Sequence, residues 1–209
     1  MSDHYFTEQP SSARERRRVD LTLRGHEVSV WTEGGVFSHE RVDLGTRVLL
    51  REAPPLPPDG ELLDLGCGWG AMAIAMAKDA PGAAVWAVDV NARALALTSE
   101  NAERLGLANV KTCTPEQVPD ELRFDVIWSN PPIRIGKDAL HSLLLQWIPK
   151  LRPGGVAYLV VQRHLGADSL HAWLTGALDE SAPGEYAVRR LGSSKGYRVL
   201  EVTRGGGQR

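Results

Sequence analysis

The chain has 209 residues, 43% of them hydrophobic, and a formal net charge of −2. That length suits one large domain, or one domain with an extension, with an ordinary buried core. The near-neutral charge excludes a strong overall field for nucleic acid, no apolar run reaches membrane-spanning length, and no signal-peptide pattern opens the chain.

Residues 1–18 are polar and carry Arg14, Arg16, Arg17 and Arg18. This segment reads as partly flexible, its arginines either a solvated surface or an arm for phosphates. Residues 19–37 alternate, with Val19, Leu21 and Leu23 before Arg24-Gly25-His26 and Val28 and Val30 after it, so a β-hairpin is expected. The following stretch takes helical spacing towards Leu50, with Val42, Val48 and Leu49 as core candidates. Pro54-Pro55-Leu56-Pro57-Pro58 stops that helix and forms a stiff linker.

Leu62 to Leu65 is a short apolar run that reads as a buried strand. Gly66, Gly68 and Gly70 follow at alternate positions, and Ala71 to Lys78 is rich in helix formers. Glycines there let the chain turn sharply and let a ligand lie on bare backbone. A dinucleotide loop would be spelled G-x-G-x-x-G. This one is G-x-G-x-G, with Asp64 two positions before the first glycine. A carboxylate there repels a pyrophosphate and suits an ammonium group, so a nucleoside carrying an amino acid fits better. Cys67 lies inside the loop. It and Cys113 allow at most one bridge, and free thiols in a reducing, cytoplasmic setting are expected.

Ala83 to Asp89 is a second strand ending in a carboxylate, about 20 residues past the loop, where ribose-binding acids sit. Asp89 is assigned to the ribose, with Val90 beside it, and Asn91 to capping the helix over residues 92–106. Residues 109–113 form a third strand, and Thr114, Pro115 and Glu116 at its carboxyl end are placed near an adenine. Residues 124–128 form a fourth strand. It runs into Ser129-Asn130-Pro131-Pro132-Ile133-Arg134, where the prolines fix the backbone and remove donors. The Asn130 side-chain carbonyl and a rigid backbone carbonyl make two acceptors. Two acceptors suit a planar NH2 group and leave its lone pair free to attack a methyl group. A helix is expected over residues 139–151, stopped by Pro153-Gly154-Gly155. A strand over 156–161, a helix over 168–178 and an antiparallel pair over 185–191 and 197–203 follow, and 205–209 reads as a disordered tail. Alternating strands and helices give an α/β class. Six histidines lack metal-ligand spacing and imply no metal.

Asp64-Leu65-Gly66-Cys67-Gly68-Trp69-Gly70 resembles motif I of the class I S-adenosylmethionine-dependent methyltransferases. Asn130-Pro131-Pro132-Ile133 resembles their N/D-P-P-Y/F motif IV, found where the acceptor is an exocyclic or amide nitrogen. Phe37-Ser38, Arg41-Val42-Asp43, Gly45-Thr46 and Lys195 to Leu200 are similar to the small-domain branch that includes ribosomal RNA guanine-N2 methyltransferases. The resemblance implies a Rossmann-like seven-stranded sheet, mostly parallel with an antiparallel last strand, behind a small N-terminal antiparallel β extension. It divides the chain into residues 1–53, 54–204 and the tail. It implies S-adenosylmethionine held by Asp64, Gly66, Cys67, Gly68, Gly70, Asp89, Val90, Thr114 and Asn130. Asn130, Pro131, Pro132 and Ile133 are the implied catalytic turn, with Phe37, Arg134 and Lys137 on an RNA substrate. The chain departs from the pattern at Ile133, where the family carries an aromatic; Phe37 or Trp69 could supply stacking. The alternatives are methylation of a protein glutamine amide, a nicotinamide-dependent reductase, and a cofactor-binding module without catalysis.

Overall fold

The computed structural model describes residues 16–34, 36 and 42–206. It opens with β1 (Arg16–Leu23) and β2 (His26–Glu33), an antiparallel hairpin that forms a sheet of its own. Leu23, Val28 and Val30 are buried beneath it. Arg24 and Gly25 both take positive φ at the two-residue turn, the geometry that matches strand twist. The Arg24 guanidinium bonds Asp79 and donates to the carbonyls of Leu50 and Ala53, which ties the turn to two helix ends. The first strand begins earlier than the sequence pattern suggests. Arg16 pairs with Glu33 across the hairpin and with Glu100, so charge pairing extends the ladder beyond its apolar residues.

The remaining elements alternate as expected: α1 (Leu44–Glu52), β3 (Asp59–Leu65), α2 (Ala71–Asp79), β4 (Gly82–Val88), α3 (Ala92–Arg104), β5 (Val110–Cys113), β6 (Phe124–Ser129), α4 (Lys137–Trp147), β7 (Leu151–Gln162), α5 (Ala167–Ser181), β8 (Tyr186–Ser194) and β9 (Tyr197–Arg204). Seven strands form one sheet in the order β5-β4-β3-β6-β7-β9-β8. Strands β3 to β7 run parallel, and the last strand, β9, is antiparallel to both neighbours. This is the Rossmann-like sheet that the sequence implies, with β9 inserted between β7 and β8.

Central strand β3 is apolar on both faces, because helices cover both. Leu62 belongs to one core cluster and Leu63 to the other. Val42, Val48 and Leu49 are buried as anticipated. From β3 the chain winds outward through β4 to β5, then returns to β6 on the other side of β3. Such a reversal opens a crevice at the carboxyl ends of the strands, where ligands bind in open α/β sheets.

Pro153-Gly154-Gly155 does not simply end a helix. It lies inside β7, which starts at Leu151, beside a register shift against β6. Gly154 takes positive φ there, and a Cβ at Gly155 would meet the Phe124 carbonyl oxygen at 2.7 Å. Helix stops and strand bulges use the same residue types. Gly205, assigned to the tail, bonds backbone to both Gly154 and Glu185.

Candidate active site

The glycine loop leaves β3 at the switch point and turns back onto β4. The N–H groups of Gly66 and Cys67 both donate to the Val88 carbonyl, at 2.8 and 3.0 Å. Gly66, Gly68 and Gly70 all have positive φ, at 80°, 58° and 94°. Two of them serve different ends. A Cβ on Gly66 would meet nothing within 4 Å, so bare backbone faces open space. A Cβ on Gly70 would meet Thr98 Cγ2 at 2.9 Å, so this glycine lets α3 close on the loop. From α3, Thr98 donates to the Gly68 carbonyl at 2.9 Å and Asn101 to the Trp69 carbonyl at 3.1 Å. Asn101 also exchanges bonds of 2.7 and 2.9 Å with the backbone of Trp31, so the hairpin braces the loop.

Asp89 accepts from the N–H groups of Gly68 and Asn91, at 3.0 and 2.9 Å, and lines the cavity in front of the loop. Burial pushes its pKa up. Asn91 caps α3 by accepting from Arg93 N–H at 2.9 Å and lines the cavity beside Asp89. Val90 is exposed on the cavity wall. Asp64 lies elsewhere. It is fully buried, accepts from Ala73 N–H at 2.8 Å, and has no partner for Oδ1 among the described residues. Burial first, and the charge of Asp89 second, push its pKa up to about 7. Cys67 is also buried, its thiol 3.7 Å from the Thr98 hydroxyl. Desolvation holds that thiol well above its ordinary pKa, which leaves it unreactive. Of Thr114, Pro115 and Glu116, Pro115 lines the cavity wall.

The Asn-Pro-Pro turn forms the facing side. Ser129, the last residue of β6, is buried and donates to the Leu65 carbonyl at 2.8 Å, which fastens the turn beside the loop. Asn130, Pro131, Pro132 and Ile133 all line the same cavity of about 330 Å³ as Gly66, Gly68 and Asp89. The Pro131 carbonyl accepts from Ile133 N–H at 2.9 Å and the Pro132 carbonyl from Ile135 N–H at 3.1 Å. The carbonyls beside the prolines are therefore not all left free; Pro131 keeps one lone pair. The Asn130 amide nitrogen donates to Asp43 Oδ2 at 2.9 Å and to Thr46 Oγ1 at 3.2 Å. Asp43 is the N-cap of α1, accepting from Gly45 and Thr46 N–H at 2.7 and 3.2 Å.

Lys137 is exposed at the start of α4 and does not reach the wall. Phe37 and the Arg134 side chain lie outside the described residues. Trp69 is only 3% exposed and packs in the core beneath the loop, so it presents no face to a substrate. Sequence reasoning gave no role to Asp43 or Tyr197, yet both line the cavity. Tyr197 begins β9, and its ring rests over Gly45, where a Cβ would meet Tyr197 Cε1 at 2.9 Å. The available signals are Arg41-Val42-Asp43 and the stretch from Lys195 to Leu200, which carried part of the family resemblance. Trp147, Leu143 and Leu165 complete an apolar wall. No cluster of three potential metal ligands occurs among the described residues, and no helix among them is long and apolar enough to cross a membrane.

The family described as "Methyltransferase small domain" matches residues 27–200. The uncharacterized protein YbxB of Bacillus subtilis is 32% identical over 205 residues, which is 97% of this chain and 98% of that protein. Ribosomal RNA small subunit methyltransferase C of Shewanella baltica is 34% identical over 152 residues, covering 71% of this chain and 43% of that enzyme. The chain thus spans less than half the length of that relative. Among solved structures, a T. thermophilus 16S rRNA N2 G1207 methyltransferase in complex with AdoMet and guanosine superposes with a TM-score of 0.73 at 27% identity, over 94% of this chain and 52% of that one. M. jannaschii TYW2, at 18% identity and a TM-score of 0.58, shares the fold. With the family match running from the hairpin into the last strand, this chain belongs to the methyltransferase small-domain family.

Proposed function

We propose that this chain transfers a methyl group from S-adenosylmethionine to an exocyclic amine of a nucleobase in RNA, namely guanine N2 of ribosomal RNA. The observation that carries this is the shared cavity: the open glycine backbone and Asp89 stand on one side, and the Asn130-Pro131-Pro132-Ile133 turn on the other. The residues fit the cofactor. Gly66 offers backbone with no Cβ in the way. Asp89 lines the cavity with a carboxylate that can accept from ribose hydroxyls, and exposed Val90 gives the nucleoside an apolar contact. Bound there, S-adenosylmethionine supplies an electrophilic methyl group.

The chain's own residues do the rest by position. The Asn130 side-chain carbonyl and the backbone carbonyl of Asn130 or Pro131 accept the two N–H bonds of the target amine. The nitrogen lone pair is then left facing the donor, and the acceptors stabilise the positive charge that grows on nitrogen. Ile133 and Tyr197 flank the base; the Tyr197 ring supplies the aromatic face that position 133 lacks. The similarity to a small-subunit ribosomal RNA methyltransferase and to a 16S rRNA N2 G1207 methyltransferase supports this choice of substrate.

The test is methyl transfer from tritiated donor into an unmodified small-subunit ribosomal RNA transcript, followed by nucleoside analysis. N2-methylguanosine is expected. A transcript left unlabelled, beside a protein extract labelled at glutamine in a parallel reaction, would replace this substrate with an amide.

A further inference from the structure

Asp43 and Asn130 lie 87 positions apart, yet their side chains meet at 2.9 Å. An ionised carboxylate can only accept hydrogen bonds, so the Asn130 group facing it is the NH2. The Thr46 hydroxyl, 3.2 Å away, takes the second N–H. Rotating the amide by half a turn would bring its carbonyl against the carboxylate. The lock therefore has one stable setting, with the Asn130 carbonyl turned away from Asp43. That carbonyl has no protein donor among the described residues and is not sealed from the cavity.

We infer that Asp43 is a positioning residue, which fixes the Asn130 amide so that its carbonyl is presented to the substrate amine. This rests on the proposed amine-acceptor role of Asn130. One oxygen does two jobs: Asp43 Oδ2 accepts from Gly45 and Thr46 to start α1, and from Asn130 to set the amide. The start of α1 and the catalytic turn are thereby one mechanical unit, and Tyr197, seated on Gly45, packs against the same corner.

The two jobs separate by substitution. Asp43→Ser keeps a good N-cap but offers a short hydroxyl that both donates and accepts, so it tolerates either amide setting. Asp43→Asn keeps a carbonyl acceptor in the same place. Single-turnover methyl transfer to the unmodified small-subunit ribosomal RNA transcript, at saturating donor and RNA, should be slowed about 10- to 100-fold by Asp43→Ser, the scale of a misaligned catalytic contact. Asp43→Asn should recover most of that loss, and Asp43→Ser should add nothing in an Asn130→Ala background. Thr46→Val, which leaves the cap in place, should slow transfer roughly 2- to 5-fold through the weaker contact, and it carries the test if Asp43→Ser does not fold. Full activity of Asp43→Ser beside an impaired Asn130→Ala would overturn the lock and leave the amine-acceptor role standing. So would an equal slowing by Asp43→Ser in the Asn130→Ala background. Full activity of Asn130→Ala would remove the amine-acceptor role itself.

Discussion

The two sides of the cavity are built by different means. The donor side comes from one stretch, the β3 exit through the start of α3, and is held by backbone groups: two loop N–H groups on the Val88 carbonyl and two more on Asp89. The acceptor side is assembled from three distant places, Asp43 on α1, Asn130 after β6 and Tyr197 on β9, and is held by side chains. A backbone-built site depends on glycine φ angles and tolerates many side-chain changes. A site built from side chains depends on the setting of a single amide. Changes on the donor side should therefore appear in cofactor affinity, and changes on the acceptor side in turnover.

The largest effect belongs to Asn130. Asn130→Ala should lower single-turnover methyl transfer by about 10²–10³, the usual loss for one preorganised polar contact, and Asn130→Asp should be milder because it keeps an acceptor. Next comes the buried carboxylate under the loop. Folded Asp64 titrates at about 7, against 3.8 for an ordinary aspartate. The fold therefore favours the neutral acid, and this stabilisation is complete below about pH 3.8 and lost as pH rises through about 7. Denaturant unfolding from pH 4 to 8 should show wild type losing on the order of 2–4 kcal/mol relative to Asp64→Asn, flattening above that window. Equal slopes in the two proteins would place the titration elsewhere.

Asp89→Ala should weaken S-adenosylhomocysteine binding in calorimetry by about 1–3 kcal/mol, the worth of hydrogen bonds to a charged group. Turnover at saturating donor should survive. Tyr197→Ala should raise the RNA KM by the equivalent of about 1–2 kcal/mol of base stacking, with donor affinity unchanged, while Tyr197→Phe should behave as wild type. The smallest effect is expected at the basic hairpin end. Arg16 is neutralised by Glu33 and Glu100, and Arg18 bonds Ser29 and lies near Asp20. Replacing both by glutamine should leave the salt slope of RNA binding within about one unit of wild type. A larger fall would restore the phosphate-contacting arm.

The same contrast explains what could be read in the sequence. Gly66, Gly68, Gly70 and Asp89 stand in a local strand-turn-helix unit whose periodicity and spacing are visible along the chain. Asn130 was visible because two prolines beside it announce a fixed turn. Asp43 and Tyr197 stood in stretches that carried the family resemblance, but their place in the cavity was not legible, because they reach it only through tertiary packing across 87 and 67 positions from Asn130, respectively. Trp69 looked available as a loop aromatic, but the hairpin and α3 turn it inward. The end of β5 was legible as well, because Pro115, next to Thr114, lines the cavity just past Cys113. The seven-stranded sheet was legible throughout. The bulge in β7 was not, since its glycines also suit a helix stop.

Asn130 stands where the two sides meet, and the sequence alone placed it on both cofactor and substrate. The most direct measurement is therefore calorimetry of S-adenosylhomocysteine binding to Asn130→Ala, run beside its single-turnover rate. If the two sides are separable, affinity stays within about 0.5 kcal/mol of wild type while turnover collapses. A loss of affinity as large as that of Asp89→Ala would contradict this, and would make Asn130 part of the cofactor's seat.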